Sequence, residues 1–214
     1  MKTKPIFFVL LLVLILPGCL VKSLHPFYTD NNLVYKAELT GAWMDHDSNT
    51  WVISRHMKKT GLFKDDIPDQ AYTIIFTDQK GSSKFMAHLF TIEKQLYLDF
   101  YPDEDEGHTD LGNFHFIPAH SLAQVNLKGN SIEIRWYNEE WLVNLFNQNR
   151  IRIAHERVPY DADDHNPDNY QVILTAPTSE LQKFILKYGH DPEAFKQDKN
   201  HSDYTFVLSK KASH

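Results

Sequence analysis

The chain lacks several things that common architectures and chemistries require. It carries one cysteine in 214 residues, so no intrachain disulfide can form. Only eight glycines are present, too few for a cradle of closely spaced glycines. Gly107 and Gly112 have the spacing of a phosphate loop, but Asn113 stands where its lysine belongs. No dinucleotide fingerprint and no Gly-x-Ser-x-Gly elbow occur. Ser121 follows His120, yet neighbours on a strand point to opposite faces and make no catalytic pair. Basic residues are in deficit, 22 against 28 acidic, giving a formal charge of −6. Nucleic-acid affinity rests on Lys and Arg neutralising phosphates, so that class of partner is excluded.

Apolar and aromatic residues are plentiful. Hydrophobic residues make up 42% of the chain, with 14 Phe, 10 Tyr and 4 Trp. That is enough to order one domain core, and it excludes global disorder. The length allows one ordinary domain or at most two small ones.

The first residues read as an export signal. Lys2 and Lys4 form a basic head, and Ile6 to Leu16 is an unbroken apolar run. As a helix it would rise only about 16 Å, roughly half of the hydrocarbon core of a bilayer, too short for a stable span. Leu16-Pro17-Gly18-Cys19 resembles the lipobox of bacterial lipoproteins. The resemblance implies cleavage before Cys19, diacylglycerol on its sulfur and acylation of its new amino group. Leu20 follows, not the aspartate that retains lipoproteins at the inner membrane in enteric bacteria. The implied location is therefore the cell envelope, at the outer membrane and facing the periplasm. Without residues 1–18 the chain has 20 basic and 28 acidic side chains. Anionic headgroups repel such a surface, so attachment is expected to rest on the acyl chains of Cys19 and not on a basic patch. The expected organisation is a signal peptide over 1–18, a lipidated tether over 19–39 that docks in part through Phe27, Tyr28 and Tyr35, and one β-rich domain over 40–214.

The body reads as α+β, mainly antiparallel β: a meander sheet or partly closed barrel with two packing helices. Short apolar or alternating runs at Trp51-Val52-Ile53, Tyr72 to Phe76, Phe85 to Ile92 and Gln95 to Tyr101 are separated by turn residues. Glu93-Lys94 and Lys128-Gly129-Asn130 are spaced as hairpin turns, the second joining Ser121–Leu127 to Ser131–Tyr137. Asn138 can cap a helix with Trp141, Leu142, Leu145 and Phe146 on one face. A strand over Ile151 to Val158 is expected next. Thr178, after Pro177, starts a helix that presents Leu181, Phe184, Ile185 and Tyr188 and stops at Gly189. Tyr204 to Leu208 reads as a last strand.

Gly41-Ala42-Trp43 resembles the Gly-x-Trp opening of lipocalins, which would place Trp43 near the floor of a ligand pocket. Leu24 to Thr29, Ile117-Pro118-Ala119-His120 and Leu174 to Phe184 resemble segments of uncharacterised envelope lipoproteins, a likeness that supplies no activity.

Metal-site patterns fail on their own terms. Asp161 to Asn169 is rich in oxygen ligands, but Asn166 and Val172 stand where a calcium loop needs glycine and glutamate. Asp103-Glu104-Asp105-Glu106 reads as a solvated loop. His155-Glu156 would close a zinc helix at Pro159, which is not histidine. His115 with His120, and Asp45-His46-Asp47, have no recognised ligand spacing. The expectation is no cofactor, no metal, no catalytic residue and a non-catalytic binding or structural role, foremost an envelope protein partner. That role calls for an exposed aromatic patch, with Trp136, Tyr137 and Trp141 as candidates. A lipocalin-like carrier of a lipid or other apolar small molecule is the alternative. A metal-assisted hydrolase on His115 and His120 is third.

Overall fold

The structure is a computed structural model that describes residues 20–58, 67–103, 117–159, 170–196 and 205–211. Its strands are β1 (Lys22–Ser23), β2 (Gly41–Met44), β3 (Thr50–Lys58), β4 (Ile67–Thr77), β5 (Ser82–Ile92), β6 (Gln95–Pro102), β7 (His120–Lys128), β8 (Ser131–Trp136), β9 (His155–Pro159), β10 (Tyr170–Leu174) and β11 (Thr205–Lys210). The helices are α1 (Glu139–Asn147) and α2 (Thr178–Tyr188).

Eight strands close into an antiparallel barrel in the order β2-β3-β4-β5-β6-β7-β8-β11. The sequence allowed an open sheet or a partial barrel, and two pairings decide between them. Leu96 to Phe100 pair with Val125 to Ser121, and Lys210 pairs with Trp43. Closure removes the free edges of the sheet. Both hairpin turns form as their residues demand. Glu93 and Lys94 take positive φ values of 55° and 99°, the mirror-image turn that matches strand twist, and Gly129 takes 58°.

β1, β10 and β9 form a flap outside the barrel. Ser23 pairs with His120 at the start of β7, and β10 runs parallel to β1 and antiparallel to β9. The strand expected from Ile151 is shorter than the apolar alternation suggests. Residues 151–154 make no ladder, and pairing starts at His155 opposite Leu174. Ile151 and Ile153 are buried all the same, against the helices. Burial, not pairing, explains their alternation.

Both helices form where their spacing predicts. The Asn138 side chain accepts from the Glu140 amide at 2.7 Å and caps α1, which buries Trp141, Leu142, Leu145 and Phe146. α2 buries Leu181, Phe184 and Ile185, and Gly189 ends it. A side chain at 189 would meet the Ile185 carbonyl at 2.5 Å and the Tyr97 hydroxyl at 2.8 Å, so glycine is required by space.

The apolar residues divide into two cores. One lies inside the barrel; the other lies outside it, between β5–β7, the flap and the helices. Residues 20–39, expected as a partly docked tether, pack on both cores: Val21 and Phe27 are fully buried in the outer one, and Leu39, at 1% exposure, belongs to the core inside the barrel. Thr178 Oγ1 donates to the Pro26 carbonyl at 2.7 Å and Gln182 Nε2 to that of Phe27 at 3.2 Å, fastening this strap to α2.

Candidate functional site

Inward positions on the barrel strands are apolar by the two-residue period of β structure. Six of them bring aromatic rings together: Trp51, Phe76, Phe85, Phe100, Trp136 and Phe206. The centroid of Trp51 lies 4.8 Å from that of Phe76, 5.2 Å from Phe206 and 6.0 Å from Trp136. Trp136 is 4.8 Å from Phe100, and Phe85 is 6.0 Å from Phe100. Tilted and edge-on contacts at such distances are the favourable ones for aromatic pairs. The two indoles differ in one respect. Trp51 Nε1 donates to Asp45 Oδ2 at 3.1 Å, whereas Trp136 Nε1 is buried with no hydrogen-bond partner among the described residues. An unmade buried hydrogen bond costs about 1–3 kcal/mol and calls for an explanation.

The sequence-selected residues do not converge on one place. Trp43 is inside the barrel at 1% exposure, its Nε1 donating to the Leu39 carbonyl at 2.9 Å and Lys210 Nζ lying 5.4 Å from its ring. Trp136 points into the barrel and its neighbour Tyr137 into the outer core, as adjacent strand residues must. The Tyr137 hydroxyl donates to the Gly189 carbonyl at 2.6 Å, and burial pushes its pKa up. Trp141 donates from Nε1 to Asp191 Oδ2 at 3.1 Å. The exposed aromatic patch expected of Trp136, Tyr137 and Trp141 does not form: their exposures are 8%, 1% and 5%. Their apolar bodies are spent on the two cores. Cys19 lies outside the described residues.

The chain matches no protein-family model, no curated protein and no solved structure. The site is therefore read from its own geometry.

A polar cluster beneath the strap escaped sequence reasoning. Asp99 is fully buried on β6; its Oδ1 lies 2.7 Å from His120 Nδ1, and its Oδ2 accepts from the Phe27 amide at 2.7 Å. Burial raises the Asp99 pKa, while His120 and the Phe27 amide pull the other way. His88, the cross-strand partner of Asp99, stacks on Tyr28 at 4.2 Å between centroids, and the Tyr28 hydroxyl sits 3.3 Å from its Nε2. Desolvation lowers the His88 pKa to about 4, so the ring is neutral at pH 7. Burial raises the Tyr28 hydroxyl to about 12, with the Asp99 charge adding to the effect. These contacts hold the strap to the barrel wall. The signal available in the sequence was Asp99 itself, a carboxylate inside the apolar run Leu96 to Tyr101.

The metal candidates resolve into other roles or fall outside the described residues. Asp45 accepts from the amides of Asp47 and Asn49 and from Trp51, shaping the β2–β3 turn. His46 is exposed beside Asp47 at 3.2 Å. Asp103 pairs with Lys84 at 2.7 Å. His115, Glu104 to Glu106 and Asp161 to Asn169 are outside the described residues. Among the described residues no three His, Cys, Asp or Glu side chains are gathered to hold a metal.

Clefts lined by described residues lie outside the barrel. One, of about 320 Å³, runs beside α1 and is lined by Asn138, Glu140, Trp141, Asn144, Gln148 and Arg150 among others. The second, of about 220 Å³, lies between α2 and residues 150–153.

Proposed function

We propose that this chain is a lipid-anchored protein of the cell envelope whose barrel holds an apolar small molecule and performs no catalysis. The observation that carries the reading is the ring cluster inside the barrel, with a buried indole N–H at Trp136 that has no partner among the described residues. Apolar pockets with one or two placed polar groups are the common form of small-molecule site, and an indole donor among phenyl rings suits a ligand with an apolar body and one acceptor. Its position supports the anchor as well. Leu20, one residue past Cys19, packs against the barrel core and bridges to Asn138, two residues past Trp136. A ligand drawn from the bilayer would have a short path to that end of the barrel.

The test is crosslinking in cells. Bacteria expressing the full-length protein are fed a diazirine-bearing fatty acid and irradiated, and the purified protein is digested and sequenced by mass spectrometry. Adducts on peptides of β3 and β8, which carry Trp51 and Trp136, are the expected result. Labelled acyl chain found only on the Cys19 peptide would leave the anchor standing and sink the carrier.

A second reading has its own observation. Val52 and Ile75 are cross-strand partners on the outward face of β3 and β4, with exposures of 41% and 37%. This bare apolar stripe suits an envelope protein partner better than the buried residues first singled out. Crosslinks from Val52 or Ile75 to another envelope protein, with none to fatty acid inside the barrel, would favour it.

A further inference from the structure

The net charge conceals a local excess of the opposite sign. The groove between α2 and residues 150–153 has Ile151, Ile153 and Phe184 as its buried floor. Around that floor stand Arg150, Arg152, Lys183 and Lys187, all exposed, and one acidic residue, Glu180. None of the four cations is ion-paired among the described residues; Lys187 Nζ instead lies 5.0 Å from the Tyr188 ring. The two walls are tied together, since the Tyr188 hydroxyl donates to the Arg150 carbonyl at 2.8 Å. Four cations against one carboxylate over an apolar floor, in a chain of net charge −6, are arranged for an anion attached to something apolar.

Position selects among such anions. α2 is fastened at Thr178 and Gln182 to the strap at Pro26 and Phe27. Pro26 lies seven residues from Cys19, a span of at most about 25 Å even if fully extended. Leu24 and Leu186 are exposed on the strap and on α2, at 44% and 49%. The groove therefore stays near any membrane that holds the chain at Cys19. We propose that it seats the phosphate of an anionic phospholipid headgroup in that membrane, the cations meeting the phosphate and the exposed leucines meeting the interface. The acyl chains then hold the protein at the bilayer while the groove sets which side of it faces the lipid. This inference rests on the anchor reading and replaces uniform repulsion by a charge distribution with one attractive face.

The experiment uses the full-length protein, purified from bacterial membranes and reconstituted into vesicles of phosphatidylcholine alone or with phosphatidylglycerol. An amine-acetylating reagent is added, and modification rates are read by mass spectrometry at Lys183 and Lys187, with Lys58 and Lys80 on the bare half of the barrel as references. A basic residue near an anionic surface gains roughly five-fold in association. Lys183 and Lys187 should therefore be labelled about five-fold more slowly in the phosphatidylglycerol vesicles while the references hold. Arg150→Glu with Arg152→Glu should abolish the difference, and circular dichroism of the variant reports that it is folded. Equal labelling in both lipids, or protection that survives the double reversal, would overturn the proposal. Inorganic phosphate giving the same protection in phosphatidylcholine would overturn the lipid as the source. The anchor is read separately, by the intact mass of acylated Cys19 and flotation with phosphatidylcholine vesicles. A chain that fails there but is protected when mixed with phosphatidylglycerol vesicles would lose the anchor and keep the groove.

Discussion

β3 and β6 belong to the same barrel and bury different fractions of themselves. Along β3, Trp51 and Ile53 are buried while Val52 and Ser54 are exposed, because the outer face meets water. Along β6, Tyr97, Leu98, Asp99 and Phe100 are buried in succession, because the strap and α2 cover the outer face. The barrel thus has a bare half around β3 and β4 and a covered half around β5, β6 and β7. Alternation survives along β3 and, between buried and half-buried positions, along β8; along β6 it is lost. In the covered half a carboxylate and two imidazoles occupy positions that the bare half leaves to solvent, and they are tolerated because each has a partner.

The sharpest way to break this division is to loosen the cover. Phe27 is fully buried in the outer core, and its amide feeds Asp99. Phe27→Ala keeps the amide but opens a cavity, and should cost about 3–5 kcal/mol in urea unfolding. Loss of the cover should also expose amides of β5 and β6 to hydrogen exchange while those of β3 hold. Uniform faster exchange over both halves would mean the barrel and its cover unfold as one unit.

A smaller effect distinguishes the halves by pH. His88 has a folded pKa of about 4 against 6.5 unfolded, chiefly because burial disfavours its charged form. Between these values the unfolded chain binds more protons, so the contribution of His88 is complete above pH 6.5 and is lost as pH falls towards 4. The loss is at most roughly 3 kcal/mol. Asp99 acts in the opposite sense: its raised pKa contributes stability below the unfolded value near 3.8 that is lost as pH rises. His88→Gln should therefore flatten the fall in urea midpoint between pH 6.5 and 4. An unchanged slope in that variant would assign the acid sensitivity elsewhere.

The same contrast explains what the sequence disclosed. Hairpins and helices were legible because their signals are local: two-residue turns, the Asn138 cap, and the Leu181 to Tyr188 spacing. Closure was not, since it depends on pairing between Leu96–Phe100 and Ser121–Val125, across a separation that no local pattern encodes. Trp136, Tyr137 and Trp141 read as an exposed patch from the sequence and are buried in the structure, because exposure is a property of what covers a residue. The strap that does the covering reads as a loop. Asp99 and His120 are 21 positions apart, and only the barrel's closure makes them neighbours. The basic groove was hidden by averaging, since its four cations come from two segments some thirty positions apart and the net charge of the chain has the other sign.

The bare half should tolerate change. Val52 and Ile75 lie opposite each other on the outer face, where a β-branched polar residue keeps the strand preference and loses only a half-exposed contact. Val52→Thr with Ile75→Thr should change stability by within about 1 kcal/mol, since each surface substitution is usually worth about 0.5 kcal/mol or less. That near-neutrality makes the pair informative about function. If the stripe faces a protein partner, the double variant should lose its crosslinks in cells at unchanged thermal stability. If fatty acid still reaches Trp51 and Trp136 in the same variant, the barrel interior and the outer stripe act separately, and the carrier reading holds without the partner.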